Sequence, residues 1–400
     1  MNALAEIIRS ESARDGVLPF VRFMELALYH PVHGYYERDA SAIGRRGDFF
    51  TSVSVGSLFG ELLAFQFSEW LAAAPEFAAA CRPSVGRASA GCQIVEAGAH
   101  DGRLAADILG WVRAQRPELF AALQYRIIEP SPRRQARQAA SLREFTAQVR
   151  WSSSLSDFPD PPAGPGINGV IFANELLDAF PVHRVGWDSA ARRWFEWGVR
   201  SEGDGFVWAR LPVAGGGRVS NSAFRLACAE LEALDPELLA VLPDGFTTEI
   251  APAATAWWRQ AATGLRRGRL LTIDYGLSAE QFFTPPRAGG TLRTYHRHQA
   301  GVDLLAQPGT QDLTAHVNFT VLAAAGEAAG LRTEGRLSQA RFLTRIAENT
   351  WSPEACFGAW TPARTRQFQT LTHPEHLGRS FEVLVQRRDD PLPNGGRQLS

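Results

Sequence analysis

Lysine is absent from the sequence, and this absence excludes several classes of enzyme. All 41 basic residues in the chain of 400 are therefore arginine. A pyridoxal or carbonyl Schiff base needs a lysine amine, because a guanidinium stays protonated and cannot act as that nucleophile. The phosphate-binding loop of P-loop enzymes and the strand β3 of protein kinases also require a lysine. The sequence thus argues against all three classes.

Cysteines are few, and long apolar runs are missing. The four cysteines form no C-x-x-C pair and lie far apart, at Cys81, Cys92, Cys228 and Cys356. This spacing favours reduced thiols over a disulfide framework or a structural zinc site. No apolar run reaches the length of about 18 residues that would predict a membrane span. The N-terminal segment mixes acidic residues with Arg9 and Arg14, unlike a transit or secretory signal, so we expect a cytoplasmic protein.

The charges of the chain are nearly balanced. The basic residues offset 42 acidic ones, which leaves a formal net charge of -1. Such a balance gives no general attraction to nucleic acid or to anionic lipid, so we predict neither as a partner. Apolar residues make up 45% of the chain and charged residues 21%, as in globular proteins. The length predicts either one elaborated enzyme domain or two smaller domains.

Short apolar runs alternate with helical patterns in the middle of the chain. The runs that we assign to strands lie at 92–99, 124–130, 148–154, 169–181, 268–276 and 380–388. Strands separated by helices predict a parallel sheet built from βαβ units. Before them, the pattern from Ser57 to Ala80 predicts a long helix, and residues 186–212 predict a Trp-rich antiparallel meander.

A turn with two glycines directly follows the first of these strands. It reads EAGAHDG from Glu96 to Gly102. Adenosyl and dinucleotide cofactors bind where such a turn closes the carboxyl end of a parallel strand. The turn does not match the dinucleotide form G-x-G-x-x-G, but it matches the S-adenosylmethionine form E-x-G-x-G-x-G except that His100 replaces the middle glycine. The alternative is an ordinary turn that uses glycine for positive φ. The residues predicted to contact the cofactor are Glu96, Gly98, Ala99, His100 and Gly102.

Glu129 ends the second predicted strand. A carboxylate at that position can accept hydrogen bonds from both ribose hydroxyls of an adenosyl group. The alternative is a surface glutamate before Pro130, at a helix start that Ser131 caps. Two acids at the ends of two successive strands favour adenosyl binding more than either acid alone.

The fourth strand runs into a loop that contains Asn174, Glu175 and Asp178. The two carboxylates stand three positions apart and would share one face of a helical turn. A carboxylate pair suits a guanidinium, whose planar fork it can accept and orient. The alternative is a helix N-terminus that favours acids through its dipole. Asp274, at the end of the returning strand, either lines the acceptor site or caps the strand.

Several blocks of the chain resemble the MidA-like methyltransferases. Their sequences are LYHPVHGYYE (28–37), IGRRGDFFTS (43–52), LFGELLAFQFSEW (58–70), ANELLDAFPVHR (173–184), LLTIDYG (270–276), GTLRTYHRH (290–298), PGTQDLTAHVNF (308–319) and HPEHLGRSFEVL (373–384). The resemblance implies an α/β fold, namely a Rossmann-like class I methyltransferase sheet with a helical N-terminal extension and an inserted α+β substrate region. It also places Gly47, Asp48, Phe49 and Thr51 near the cofactor. The family loop typically has glycine where this chain has His100.

This resemblance divides the chain into five segments. They are a helical extension with the GDFFTS loop (1–88), a cofactor-binding core (89–185), an inserted substrate region (186–266), the rest of the core sheet (267–388) and a flexible tail (389–400).

The resemblance implies an S-adenosylmethionine-dependent enzyme that methylates an arginine guanidine of a protein, a respiratory complex I subunit in the eukaryotic branch of the family. Glu175 would orient the guanidinium, with Asp178 second and Asn174 as a polar positioner. Two alternatives stay open, a catalytically inactive assembly factor and a small-molecule methyltransferase. We predict no metal site, and the Trp-rich insert is compatible with a homodimer.

Overall fold

The computed structural model describes residues 2–37, 51–73, 92–158, 166–211, 231, 234–296, 299–300 and 303–389. The chain folds into two compact units, each built from separate segments. The first unit comprises Met1–Phe49, Leu177–Ala256 and Leu277–Thr320. The second comprises Phe50–Leu176, Trp257–Gly276 and Val321–Ser400. These divisions run through the predicted segments 1–88 and 89–185 rather than between them.

The described residues contain the following strands and helices. The strands are β1 (Leu18–Pro19), β2 (Gln93–Ala97), β3 (Gln124–Ile128), β4 (Val149–Ser152), β5 (Ile167–Asn174), β6 (His183–Asp188), β7 (Arg193–Glu202), β8 (Gly205–Arg210), β9 (Thr247–Ile250), β10 (Leu265–Leu277), β11 (Arg293–His296), β12 (Gln299–Ala300), β13 (Asp312–Thr314), β14 (Val317–Asn318), β15 (Arg332–Ser338) and β16 (Phe381–Arg388). The helices are α1 (Ala3–Asp15), α2 (Phe20–Tyr29), α3 (Ser52–Val55), α4 (Leu58–Ala72), α5 (Arg103–Gln115), α6 (Pro117–Ala122), α7 (Pro132–Ser141), α8 (Pro236–Val241), α9 (Pro252–Gly264), α10 (Ala279–Phe282), α11 (Phe319–Ala328), α12 (Gln339–Asn349) and α13 (Pro362–Thr372).

A mixed sheet forms the centre of the second unit. Its path runs in the order β15-β16-β10-β5-β2-β3-β4. Strands β10, β5, β2, β3 and β4 run parallel to one another, whereas β16 is antiparallel to both β10 and β15. Apolar side chains on strands such as β2 and β5 are buried, as expected for strands covered on both faces. The α/β fold and the parallel arrangement predicted from the sequence are confirmed.

The register of these parallel strands brings four carboxyl ends together. Ala97 of β2 pairs with Ala173 of β5 and with Ile128 of β3. Asn174, the last residue of β5, pairs with Ile273 of β10. The loops that follow β2, β3, β5 and β10 therefore leave from one edge of the sheet, where ligands of open α/β sheets bind.

Buried apolar side chains hold helices onto this sheet. Helices α4, α5 and α12 contribute Phe67, Ile108 and Leu343 to one core cluster with the strands. The helix predicted over Ser57–Ala80 is confirmed only in part, because α4 ends at Ala72. Pro75 follows shortly in the sequence, and residues before a proline disfavour helical conformation. Residues 74–80 lie outside the part of the chain that the structure describes.

The first unit contains an antiparallel sheet in the order β1-β7-β6-β9, with β8 paired to β7. The antiparallel meander predicted over 186–212 is confirmed as β6, β7 and β8. Helices α1 and α2 supply Ile8 and Phe23 to a core that also contains Val199 of β7. Among the described residues, no helix is both long enough and apolar enough to cross a lipid bilayer.

Candidate functional site

The loop after β2 bends sharply through three residues with positive φ. Gly98, His100 and Gly102 have φ of 76°, 48° and 83°. The Gly102 N–H donates to the Ala99 carbonyl at 2.7 Å, and α5 begins at the next residue. A Cβ at Gly98 would lie 2.9 Å from Leu176 Cδ1. Glycine is therefore required at position 98 by both its backbone conformation and the space around it.

His100 takes the left-handed conformation that a glycine would adopt easily. Its side chain is 40% exposed, and its Nδ1 lies 3.7 Å from Asp101 Oδ1. Such a conformation costs a non-glycine residue about 1 kcal/mol or more. The backbone thus follows a path suited to glycine, while the imidazole reaches solvent beside Asp101.

Glu96 lies at the end of β2 with its side chain buried. Its Oε2 accepts a hydrogen bond from the Tyr125 hydroxyl at 2.7 Å. Burial raises the pKa of Glu96 to about 8, although the bond from Tyr125 opposes this shift. Glu96 is therefore mostly protonated at neutral pH, so its carboxyl group can also donate a hydrogen bond.

Glu129 directly follows β3, and its carboxylate is 3% exposed. Oε1 accepts from the Ser131 N–H at 2.9 Å and from Arg134 Nε at 2.9 Å, and Oε2 accepts from Gln138 Nε2 at 3.1 Å. Ser131 also caps α7, as the alternative interpretation expected. The surface position in that alternative is wrong, because helix α7 folds back over the carboxylate.

The acceptor loop begins where β5 ends. Glu175 has φ of 52°, and its N–H donates to the Ile273 carbonyl at 2.9 Å. Its Oε1 accepts from Asn174 Nδ2 at 3.2 Å and from the Ser52 N–H at 3.3 Å. Although Glu175 is partly accessible to solvent, protein surrounds its carboxyl group. This burial, with the nearby charge of Asp274, raises the pKa of Glu175 to about 8.

The predicted helical turn through Glu175 and Asp178 is wrong. Glu175 is in the left-handed region, and the short 3-10 turn begins only at Leu177. A glutamate in that conformation cannot present its side chain on one helix face with Asp178. Asp178 itself is buried in the first unit, where its carbonyl accepts from the Ala315 N–H at 2.9 Å.

Asp274 is the carboxylate that accompanies Glu175 within the second unit. It is fully buried near the end of β10. Its Oδ2 accepts from the Leu176 N–H at 3.1 Å and its Oδ1 from the Tyr275 N–H at 2.8 Å. The sequence placed Asp274 at a strand end, and only the pairing of β5 with β10 links it to the 174–176 loop.

Asn174 Oδ1 is a buried acceptor for which the described residues supply no hydrogen-bond donor. Buried polar atoms are normally hydrogen-bonded, so a ligand that carries a donor fits here. The unpaired oxygen belongs to the same side chain whose amide nitrogen contacts Glu175. The loop therefore combines a carboxyl group with an acceptor that lacks a protein partner.

The predicted residues of the GDFFTS loop are only partly described. Thr51 caps the short helix α3 and accepts from the Ser54 N–H at 3.2 Å. The next residue, Ser52, supplies the N–H that contacts Glu175. Gly47, Asp48 and Phe49 lie outside the described residues.

Metal-binding side chains do not cluster in the described part of the chain. No group of three or more His, Cys, Asp or Glu residues there could hold a metal ion. His316 is half-buried, and loss of solvent around its ring lowers its pKa to about 4, so it is neutral at physiological pH.

Three comparisons with known proteins bear on this site. Residues 75–337 match the sequence model of a family described as "Putative S-adenosyl-L-methionine-dependent methyltransferase". A crystal structure of a Burkholderia thailandensis protein bound to S-adenosyl-homocysteine is 31% identical, with a TM-score of 0.76 over 99% of this chain and 95% of that chain. The mouse protein arginine methyltransferase NDUFAF7, mitochondrial, is 27% identical over 96% of this chain and 84% of its own length. The Drosophila melanogaster homologue is 25% identical over the same shares.

The expected cytoplasmic location is contradicted by these relatives. The mouse, Drosophila and zebrafish proteins all carry the word mitochondrial in their names. The expectation rested on the mixed charges of the N-terminal segment, and that composition is not a sufficient guide to location.

Proposed function

Because this chain belongs to the family of S-adenosyl-L-methionine-dependent methyltransferases, we propose that it transfers the methyl group to a guanidine nitrogen of a protein arginine. Membership of the family confirms the resemblance found in the sequence, and it confirms S-adenosylmethionine as the cofactor. The names of the mouse and Drosophila relatives support arginine as the acceptor.

The residues at the sheet edge fit an adenosyl cofactor. The loop after β2 turns tightly through three positive-φ residues at the carboxyl end of a parallel strand, which is where such cofactors bind. Among the described residues, only Gln138 donates a hydrogen bond to Glu129 Oε2. A carboxylate oxygen can accept two such bonds. We propose that Glu96, Gly98, Ala99, His100, Gly102 and Glu129 hold the cofactor, with Thr51 beside it.

The acceptor proposal rests on the Glu175 carboxyl group, which accepts a hydrogen bond from Asn174 and lies near the charge of Asp274. When bound, the cofactor supplies an electrophilic methyl group on a positively charged sulfonium. Glu175 then accepts N–H bonds from the guanidinium and aligns one nitrogen, and alignment supplies much of the rate of such a displacement. Asn174 Oδ1 is available for a second N–H bond. Asp274 acts through Glu175, because its own oxygens bind backbone N–H groups.

The proton of the arginine leaves late in this reaction. A guanidinium has an intrinsic pKa near 13.8, so a neutral guanidine is scarce in the free substrate. Glu175 has a pKa of about 8, which makes its ionised form a stronger base than an ordinary glutamate. This supports its proposed role as the group that receives the proton as the new bond to carbon forms.

Incubation with S-adenosylmethionine that carries a labelled methyl group tests this function. The full chain is mixed with a lysate of the source cells, and the labelled protein is hydrolysed for amino-acid analysis. We expect the label in methylarginine, and we expect Glu175→Gln to lower its incorporation by about 100-fold or more. The same variant should still bind S-adenosylhomocysteine. Glu348→Gln, an exposed position on α12, is the matched control. Label in a small molecule or in another amino acid overturns the proposal.

A further inference from the structure

Gln138 on α7 makes three side-chain hydrogen bonds to three separate parts of the second unit. Its Nε2 donates to Glu129 Oε2 at 3.1 Å and to the His100 carbonyl at 3.2 Å. Its Oε1 accepts from Trp151 Nε1 at 2.9 Å. The residue is fully buried, at 0% exposure. One amide therefore links the acid after β3, the loop after β2 and strand β4.

The indole of Trp151 fixes the orientation of this amide. An indole nitrogen can only donate, so the oxygen of Gln138 must face it. Both hydrogens of Nε2 then point away, towards two acceptors that cannot supply a proton of their own, the Glu129 carboxylate and the His100 carbonyl. The opposite orientation of the amide would set donor against donor at Trp151 and acceptor against acceptor at the other two contacts.

The backbone at the same position approaches the loop closely. A Cβ at Gly102 would lie 3.3 Å from Leu142 Cδ1 and 3.4 Å from the Cα and the carbonyl oxygen of Gln138. The end of the loop therefore packs against α7 beside the residue whose side chain contacts His100, and the φ of 83° favours glycine at this position. Backbone packing and side-chain bonding fix the loop at this residue together.

We infer that Gln138 is a positioning residue for the cofactor site, which holds the Glu129 carboxylate and the 98–102 loop in one fixed geometry. This inference rests on the proposed role of Glu129 and the loop as cofactor ligands. Gln138 supplies the correct number of donors for the two groups, and it leaves the second lone pair of Glu129 Oε2 for a ribose hydroxyl. Cofactor affinity should therefore depend on the amide hydrogens of Gln138 and not only on its volume.

Gln138→Glu tests this dependence, because it keeps the shape but replaces two donors with an acceptor. We expect the Kd for S-adenosylhomocysteine, measured by calorimetry on the full chain, to rise by about 10- to 100-fold. If this variant does not fold, Gln138→Met removes the donors without adding a charge, and the same increase of about tenfold or more is expected.

Gln386 provides a matched control inside the same unit. Its Nε2 donates to the Ala323 carbonyl at 2.8 Å and to Thr333 Oγ1 at 2.9 Å, and its Oε1 accepts from Trp258 Nε1 at 2.9 Å. It is also at 0% exposure. Gln386→Glu and Gln386→Met should lower the melting temperature to a similar extent, yet leave the Kd for S-adenosylhomocysteine within about twofold. Equal losses of affinity at the two positions would show a merely structural role and overturn the inference.

A double-mutant cycle with Glu129→Ala tests the role of Gln138 separately from the proposed role of Glu129 as a cofactor ligand. If Gln138 acts through Glu129, the effect of Gln138→Glu on the Kd should shrink to about threefold or less in the Glu129→Ala background. An undiminished effect in that background overturns the inference. If Glu129→Ala alone leaves the Kd unchanged, the proposed ligand role of Glu129 fails as well. None of these outcomes depends on the methyl acceptor, so they are separable from a failure to methylate arginine.

Discussion

The ionisation of Glu175 links its environment to the proposed chemistry. Burial first, and then the charge of Asp274, raise the pKa of Glu175 to about 8. The protonated carboxyl group presents one acceptor oxygen fewer to a guanidinium than the carboxylate does. The enzyme should therefore be least active where Glu175 is neutral.

We predict that kcat/KM for the methyl acceptor rises with pH and levels off above about pH 8, because this quantity reports the ionisation of the enzyme before the acceptor binds. The measurement is initial rates at saturating S-adenosylmethionine between about pH 6 and pH 9. Glu96 also has a pKa of about 8, so Glu96→Gln is the control that assigns the effect to Glu175. A level profile in the wild type, or a rise that disappears in Glu96→Gln, contradicts the assignment.

The sequence predicted correctly that Glu96 and Glu129 stand at the ends of two successive strands. The burial of both side chains was not predicted, because it depends on how the helices pack over the sheet. Nothing in the sequence indicated the role of Gln138, because a glutamine in the Arg- and Gln-rich helix α7 would be predicted to lie exposed to solvent. Only the packing of α7 over Glu129 buries it.

The loop between β2 and α5 carries the next prediction. Gly98 combines a φ of 76° with a lack of space for a Cβ beside Leu176. Gly98→Ala should lower stability by about 2 kcal/mol or more, because backbone strain and a steric clash add. It should also weaken S-adenosylhomocysteine binding, since the loop or the Leu176 side chain at the same edge of the sheet must move to relieve the contact. Thermal unfolding and calorimetry measure the two effects.

Gly203 is the control for the backbone part of this effect. It has φ of 55° in the turn between β7 and β8, and no atom lies within 4 Å of a Cβ built there. Gly203→Ala should cost about 1 kcal/mol from strain alone and leave the affinity for S-adenosylhomocysteine unchanged. Equal behaviour of the two alanine variants contradicts the steric role given to position 98.

Elements were predictable where one pattern dominated the local sequence. Continuous apolar runs gave β2, β3 and β5, because strands buried on both faces need no polar positions. The helical turn assigned to Glu175 and Asp178 failed, because a spacing of three residues does not distinguish a helix from a bend through the left-handed region. Glu175 adopts that bend where its N–H bonds the neighbouring strand β10.

At the scale of the whole molecule, sequence order is a poor guide to compact units. Each unit is assembled from three separate segments, and local patterns contain no information about which distant segments meet. Local patterns predicted the parallel sheet and favoured an adenosyl cofactor, and the resemblance to a family specified the class I methyltransferase fold. Asp274 illustrates the gap, since its link to Glu175 requires two strands far apart in the chain to pair.

Buried acids also determine how the stability of the whole chain varies with pH. Glu96 and Glu175 both have pKa values of about 8 in the folded state, against an ordinary value of 4.5. Between these values the folded state keeps protons that the unfolded state releases, so the free energy of unfolding falls as pH rises. His316 acts in the opposite direction. Its pKa is lowered from the ordinary 6.5 to about 4 in the folded state, so the free energy of unfolding rises with pH between these two values. Above pH 6.5 His316 is neutral in both states, so among these three residues only Glu96 and Glu175 make the free energy of unfolding depend on pH.

We therefore predict that the apo protein loses stability steadily between about pH 6.5 and pH 8, by at least about 1 kcal/mol, since each unit of pKa shift corresponds to 1.36 kcal/mol. Urea unfolding across this interval is the measurement. Glu96→Gln and Glu175→Gln imitate the protonated forms, so the double variant should show a much smaller decline. A wild-type stability that stays level or increases through the interval would mean that both carboxyl groups are already ionised when the chain is folded, and the hydrogen-bond donation ascribed to Glu96 would then be wrong.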